Sequence, residues 1–180
     1  MEKSFVHIAL FAALIAILGL IPKIDLISGV PITAQSLGIM LCGTVLGARK
    51  GALAVLLFLV LVAAGLPLLS GGRGGLGVFA GPSVGYLIGF PIAAFVAGWV
   101  VQNWQARLGI AAFAGAAVGG VALLNIIGIA GMSVILDKTL PEAALLAAPF
   151  LVGDIIKAVL AALITRAIAR MRPDALLSRA

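Results

Sequence analysis

The chain alternates apolar stretches with short polar or glycine-rich breaks. Six stretches approach the roughly 20-residue length needed to cross a bilayer: residues 5–21, 32–48, 51–64, 82–101, 110–136 and 145–169. They predict an all-α integral membrane protein, a bundle of six transmembrane helices. The second and third stretches are short, and only Arg49-Lys50-Gly51 joins them. The first is not read as a cleaved signal peptide, because Glu2-Lys3 is a weak basic start and no convincing cleavage site precedes Pro22. Connections on one side are tight turns. Those after the first and third stretches are long and rich in Gly and Pro.

Composition agrees with the pattern. Of 180 residues 63% are hydrophobic and 10% charged, with a mean hydropathy of +1.29; a soluble domain carries about 25% charged residues. Charge then sets a topology. Lys3, Arg49, Lys50, Arg107, Arg166, Arg170, Arg172 and Arg179 fall at one set of helix ends. Only Lys23, Arg73 and Lys138 fall at the other, while Lys157 sits within a span. The positive-inside rule places both termini in the cytoplasm, as six spans require. The net charge of +6 is therefore a topology signal, not a mark of nucleic-acid binding. A single transmembrane domain over residues 1–180 is expected, with a basic cytoplasmic tail from about residue 170.

The candidate chemistry centres on Asp154 and Lys157, three positions apart in the last stretch and so on one helix face. A charge at mid-bilayer costs about 2.5 to 3.5 kcal/mol, so such residues usually face a protein interior or a wet cavity. Two readings stand: a self-neutralising pair, or an acceptor and a cation aimed at a ligand. Nothing in the chain points to catalysis. His7, the single histidine, is read as interfacial, and one His without partners makes neither a metal site nor a triad. Cys42, the single cysteine, reads as a small buried hydrophobe. No Gly-Lys-Ser/Thr occurs, so no Walker A loop is present for ATP. No cofactor and no metal are expected.

Other polar and small residues follow in chain order. Thr33, Gln35 and Ser36 either touch a ligand or cap the second helix, with Gln35 in its first turn facing the outer mouth. In the long break after the third stretch, five of the seven residues 71–77 are glycine. Gly72-Arg73-Gly74-Gly75-Leu76-Gly77 fits a dinucleotide-binding pattern, but it follows a membrane span rather than a strand. It reads instead as a lid over the outer mouth whose backbone approaches a ligand, with Gly72, Gly74 and Gly75 as candidate contacts. Tyr86 reads as an interfacial aromatic or, preferably, a pocket wall, and Asn125 as a helix–helix hydrogen bond or a ligand contact. Trp99 and Trp104 fit an aromatic belt. Gly115-xxx-Gly119 and Ala116-xxx-Gly120 predict close helix packing, and Ala9-xxx-Ala13 and Ala12-xxx-Ala16 predict it within the bundle or with an external partner. Pro91 predicts a bend, Thr139-Leu140-Pro141-Glu142 a capping box, and Pro149 a break near the outer end of the sixth span. Asp154 and Lys157 would then lie roughly 8 and 12 Å in from Pro149.

Several blocks taken together resemble one family. Val30-Pro31-Ile32-Thr33-Ala34-Gln35, Gly65-Leu66-Pro67 through Gly77, Gly81-Pro82-Ser83-Val84-Gly85-Tyr86-Leu87-Ile88-Gly89-Phe90 and Gly153-Asp154-Ile155-Ile156-Lys157 occur in the order seen in the BioY family. These are the biotin-binding S components of energy-coupling factor transporters, and the resemblance spans roughly residues 1–170. It implies a six-helix bundle in a bacterial or archaeal cell membrane, enclosing biotin near the outer side. Asp154 and Lys157 match the family's ligand-contacting pair, and the loops after the first and third helices are implied to cover the ligand. Ala9 and Ala13 match small residues that meet a transmembrane T protein, with ATP-binding cassette ATPase subunits supplying energy. The chain departs from the family in having Ser83-Val84-Gly85-Tyr86 where Thr-Gly-Gly-Tyr is frequent, and Arg73 occupies a variable loop position. An intramembrane enzyme or a channel is the alternative. The former lacks a nucleophile–base pair or metal cluster, and the latter a polar stripe through several spans.

Overall fold

The computed structural model describes residues 2–179; Met1, Ala180 and the side chains of Glu2 and Lys3, the weak basic start, lie outside the described residues. Among the described residues six apolar helices follow the six predicted stretches: α1 Glu2–Leu18, α2 Gln35–Leu46, α3 Ala48–Ala63, α4 Val84–Asn103, α5 Leu108–Ile135 and α6 Leu140–Met171. Three of them, α4, α5 and α6, are by themselves long and apolar enough to cross a membrane. At 12 residues α2 is about 18 Å long, shorter than the roughly 30 Å hydrocarbon core.

The short α2 has local causes at both ends. Thr33 Oγ1 accepts from the Gln35 N–H at 3.2 Å, a side-chain turn that holds the chain non-helical to that point. The N-cap position falls on Ala34, so neither Thr33 nor Ser36 caps the helix. At the other end the turn is not Arg49-Lys50-Gly51. Gly47 alone makes it, at φ 83°, and Arg49 and Lys50 open α3. Gly51 is a packing residue, because a Cβ there would lie 2.5 Å from the Cys42 carbonyl oxygen.

Pro149 does not break α6, which runs unbroken from Leu140 to Met171. The helix starts early because Glu142 Oε2 accepts from the Thr139 N–H at 2.8 Å, the predicted capping box. A proline inside a membrane helix frees one backbone group that its surroundings can satisfy. Asp154 consequently lies about 21 Å from the first residue of α6, near mid-helix rather than close to its outer end. α4 likewise continues through Pro91.

α4 is the hub, packing against α2, α3 and α5, while α1 lies on α2 and α3 and α6 lies on α2 and α5. The small residues of α5 permit the close approach. A Cβ on Gly115 would lie 2.5 Å from the Ala97 carbonyl oxygen of α4, and one on Gly120 would lie 2.5 Å from Met40 Cγ of α2. Directly after Gly115 α5 carries a wider π-helical segment over Ala116–Leu123, which includes Gly120. Phe58 of α3, Ile15 of α1 and Ile39 of α2 are fully buried, as is Met40, which packs against α5.

The long loops are ordered by their own backbones. In the first, Ile24 and Ile32 exchange N–H···O bonds of 3.0 and 2.8 Å. In the second, Leu69 and Arg73 do the same at 3.0 and 3.2 Å, and a 3-10 turn follows at Leu76–Ala80. The C-terminal tail, in which the sequence offers no recognisable pattern beyond its basic charge, folds back under the basic end. Ser178 Oγ donates to the Thr44 carbonyl at 2.7 Å, and Arg179 donates to the carbonyls of Val101, Trp104 and Ala106 at 2.7–3.0 Å. Arg179 thereby occupies carbonyls at the end of α4 and in the connection just beyond it.

Candidate ligand cavity beneath the two loops

A narrow, partly open cavity of about 60 Å³ lies beneath both loops and between α2, α4, α5 and α6. Its apolar wall includes Val30, Leu69, Leu87, Phe90, Leu124 and Phe150. Tyr86 and Phe150 meet there with ring centroids 5.5 Å apart and planes tilted by 56°. Gly128 of α5 makes room for the Tyr86 ring, since a Cβ at that position would collide with it.

The polar groups converge on α6. Lys157 Nζ donates to Asp154 Oδ1 at 3.0 Å and to Ser36 Oγ at 2.9 Å, and Ser36 Oγ lies 3.3 Å from the same Oδ1. Asn125 Nδ2 donates to Asp154 Oδ2 at 3.1 Å and to the Val121 carbonyl at 2.8 Å, inside the π-helical segment. Tyr86 OH donates to Asn125 Oδ1 at 3.2 Å. The Asp154 and Lys157 side chains keep only 7% and 14% of their surface exposed. Yet the network is not saturated. A carboxylate has about four acceptor sites and an ammonium three N–H groups, so Oδ2 retains acceptor capacity and Nζ one donor. Both residues line the cavity. The pair is thus internally neutral and still able to meet a ligand.

The other predicted residues fall in different places. Tyr86 lines the cavity, whereas Asn125 stands behind it, fixing Tyr86 and Asp154. Gln35 also lines it, but does not face an open mouth: it is 2% exposed and both of its amide N–H donors are used. Nε2 donates to the carbonyls of Ile15 and Leu68, and Oε1 accepts from the Ser70 N–H at 3.1 Å. Gln35 pins the second loop to α1.

Gly72, Gly74 and Gly75 do not line the cavity. Gly72 and Gly74 border a shallow outer depression, and the Gly75 N–H closes onto the Val62 carbonyl at 2.8 Å. The Leu69–Arg73 bridge and positive φ at Gly71 and Gly72 turn the chain so that Arg73 and Leu69 line the cavity instead. Arg73 Nε donates to the Ser70 carbonyl at 3.3 Å.

Arg73 and Phe150 are absent from the ligand residues read from sequence, though each left a trace. Arg73 is the sole charged residue between Lys50 and Arg107. Phe150 precedes Asp154 by four positions, on the same helix face. On α1 the two alanine pairs separate: Ala12 is buried, whereas Ala9 and Ala13 are exposed.

Comparison with known proteins places this geometry. The chain is 49% identical to the biotin transporter BioY of Rhodobacter capsulatus over 99% of its length and 100% of that protein. It is 47% identical to that of Rhizobium etli over 92% of each chain. A solved S-component for biotin from an ECF-type ABC transporter superposes with a TM-score of 0.90 at 32% identity, covering 94% of this chain and 92% of that one. The BioY family model matches residues 2–174. With its full helical span and near-complete coverage of these relatives, the chain belongs to the BioY family.

Proposed function

We propose that this protein binds biotin as the S component of an energy-coupling factor transporter, taking the vitamin from the outer side of a bacterial or archaeal cell membrane. The observation that carries this reading is the largely apolar cavity beneath the loops with the Asp154–Lys157 pair in its wall. Biotin offers two ureido N–H donors, a ureido carbonyl, an apolar thioether ring and chain, and a terminal carboxylate. The spare acceptor capacity of Asp154 suits a ureido N–H, and the free Lys157 donor suits the ureido carbonyl. A carboxylate beside Asp154 would be repelled. It is accommodated at the other wall by Arg73, whose guanidinium forms bidentate bonds with carboxylates. Phe150, Tyr86 and Phe90 enclose the apolar body. Both termini face the cytoplasm, so the basic end is the inner one.

Transport needs an energy source that this chain's sequence lacks, since no Walker A loop is present. A T protein and ATP-binding cassette ATPases supply it, and exposed Ala9 and Ala13 form the face that the T protein meets. Retention of labelled biotin by the purified chain tests the binding reading. Absence of retention in a folded, monodisperse preparation overturns it. For the docking face, Ala13→Leu is expected to weaken T-protein assembly while biotin binding by the isolated chain persists. Loss of folding would instead make Ala13 a packing residue.

A further inference from the structure

A second recess lies at the basic end, between the start of α5 and the last third of α6. Its volume is about 480 Å³, within the roughly 300–1,000 Å³ typical of ligand sites. The walls are apolar and exposed, formed by Phe113 of α5 and by Val159 and Leu163 of α6. The rim carries two exposed cations, Arg107 just before α5 and Arg166 on α6. Gly109 brings them to one place: a Cβ there would lie 3.8 Å from Arg166 Cδ, so the Arg166 side chain runs beside the first turn of α5.

Neither arginine makes an ion pair among the described residues. No Asp or Glu occurs in residues 108–135 or 155–171 to supply a counter-charge. The N-terminus of α5 adds unpaired N–H groups and the positive end of a helix dipole to the same rim. Trp104, half exposed three residues before Arg107, marks the level of the membrane–water interface.

We infer that this recess is a site for an anionic phospholipid, with its phosphodiester between Arg107 and Arg166 and one acyl chain along Phe113, Val159 and Leu163. Guanidinium groups hold phosphate oxygens in bidentate pairs, and the apolar walls open to the bilayer match a hydrocarbon chain. A soluble anion would use only the rim. A zwitterionic lipid would leave the positive potential uncompensated. Basic pockets between helices on the cytoplasmic side are where anionic headgroups are held.

The test reconstitutes the full chain in phosphatidylcholine nanodiscs with a minor share of phosphatidylglycerol, then extracts it in mild detergent and weighs the retained lipid by mass spectrometry. Phosphatidylglycerol is expected to be enriched by up to about thirty-fold over its share in the disc, the gain that two basic contacts at a membrane surface supply. Arg107→Gln with Arg166→Gln should abolish the enrichment, whereas Arg170→Gln with Arg172→Gln, an equal charge loss at the same end, should preserve it. Equal loss from both pairs would mean surface charge alone and overturn the site. Val159→Trp, which fills the recess and keeps both arginines, should also expel the lipid; unchanged retention would remove the acyl-chain seat. Displacement of phosphatidylglycerol by inorganic phosphate, or equal retention of phosphatidylcholine, would likewise overturn the assignment. If the wild-type chain retains no lipid, the recess is left to a partner helix and the proposal fails. All the substituted arginines and Val159 are exposed, and helical circular dichroism with monodisperse elution checks each variant's fold.

Discussion

At the basic end, interhelical polar groups are consumed by the protein itself; beneath the loops, several are only partly consumed. Thr44 Oγ1 and Thr165 Oγ1 bond each other at 2.8 Å, Gln102 Oε1 takes the Ala48 N–H at 2.9 Å, and Ser178 and Arg179 end on backbone carbonyls. These contacts tie helix to helix and tail to bundle. Under the loops, Asp154 and Lys157 also bond each other, yet each keeps unused capacity toward a cavity. Gln35 is instructive because it lines that cavity and nevertheless gives both N–H donors, and one acceptor site, to backbone, in the manner of the basic-end groups. Lining a cavity does not make a residue a ligand contact. Spare hydrogen-bonding capacity aimed into it does.

The largest expected effect comes from removing that capacity while preserving packing. Asp154→Leu with Lys157→Met replaces the pair by apolar side chains and leaves no single buried charge, so the helix bundle should persist. Biotin affinity should fall by at least about two orders of magnitude, since a charge-assisted bond contributes roughly 1.5 to 3 kcal/mol and two are lost. Near-normal affinity in titration calorimetry would reduce the pair to a structural element and erase the distinction between the two ends.

Arg73→Ala sharpens the comparison from the lid side. Removing one charged partner of the carboxylate should weaken biotin about 10- to 150-fold, with little change in thermal stability. Biotin amide, which lacks the carboxylate, should bind the wild type and the Arg73→Ala variant alike. A preserved preference for the acid in that variant would assign the carboxylate to another residue.

Substitutions at the basic end should do the reverse. Thr44→Val is expected to cost about 1 kcal/mol of stability, near the low end for a lost hydrogen bond, because the Thr165 hydroxyl can turn to a carbonyl of its own helix. Its apparent unfolding temperature should drop while biotin affinity stays unchanged. Smallest is Arg179→Ala, which frees carbonyls at the exposed end of α4 and should lower stability by a few tenths to about 1 kcal/mol. A biotin defect in either variant would mean that the ends are coupled.

Six apolar stretches, the sidedness of the basic residues and the Asp154–Lys157 face were legible in the sequence because each rests on spacing along the chain. Length and hydropathy are enough to require helices where water is absent. Three positions on a helix put two side chains on one face without reference to any neighbour. The same locality explains the capping box at Thr139 and the role of α5 glycines in close packing.

What the sequence could not supply was direction in the loops and depth along the helices. Whether Gly72 or Arg73 meets the cavity depends on the Leu69–Arg73 bridge, which no periodicity announces. Whether Gln35 greets a ligand or holds a loop depends on carbonyls of Ile15 and Leu68, 20 and 33 positions away. The turn at Gly47, the continuity of α6 through Pro149 and the docking of Ser178 and Arg179 were likewise decided by tertiary contacts and helix ends. Hydrophobic burial selects which faces turn inward and is nearly indifferent to order along the chain. Hydrogen bonds are directional, so the final fate of each polar group was settled only when distant backbone arrived beside it.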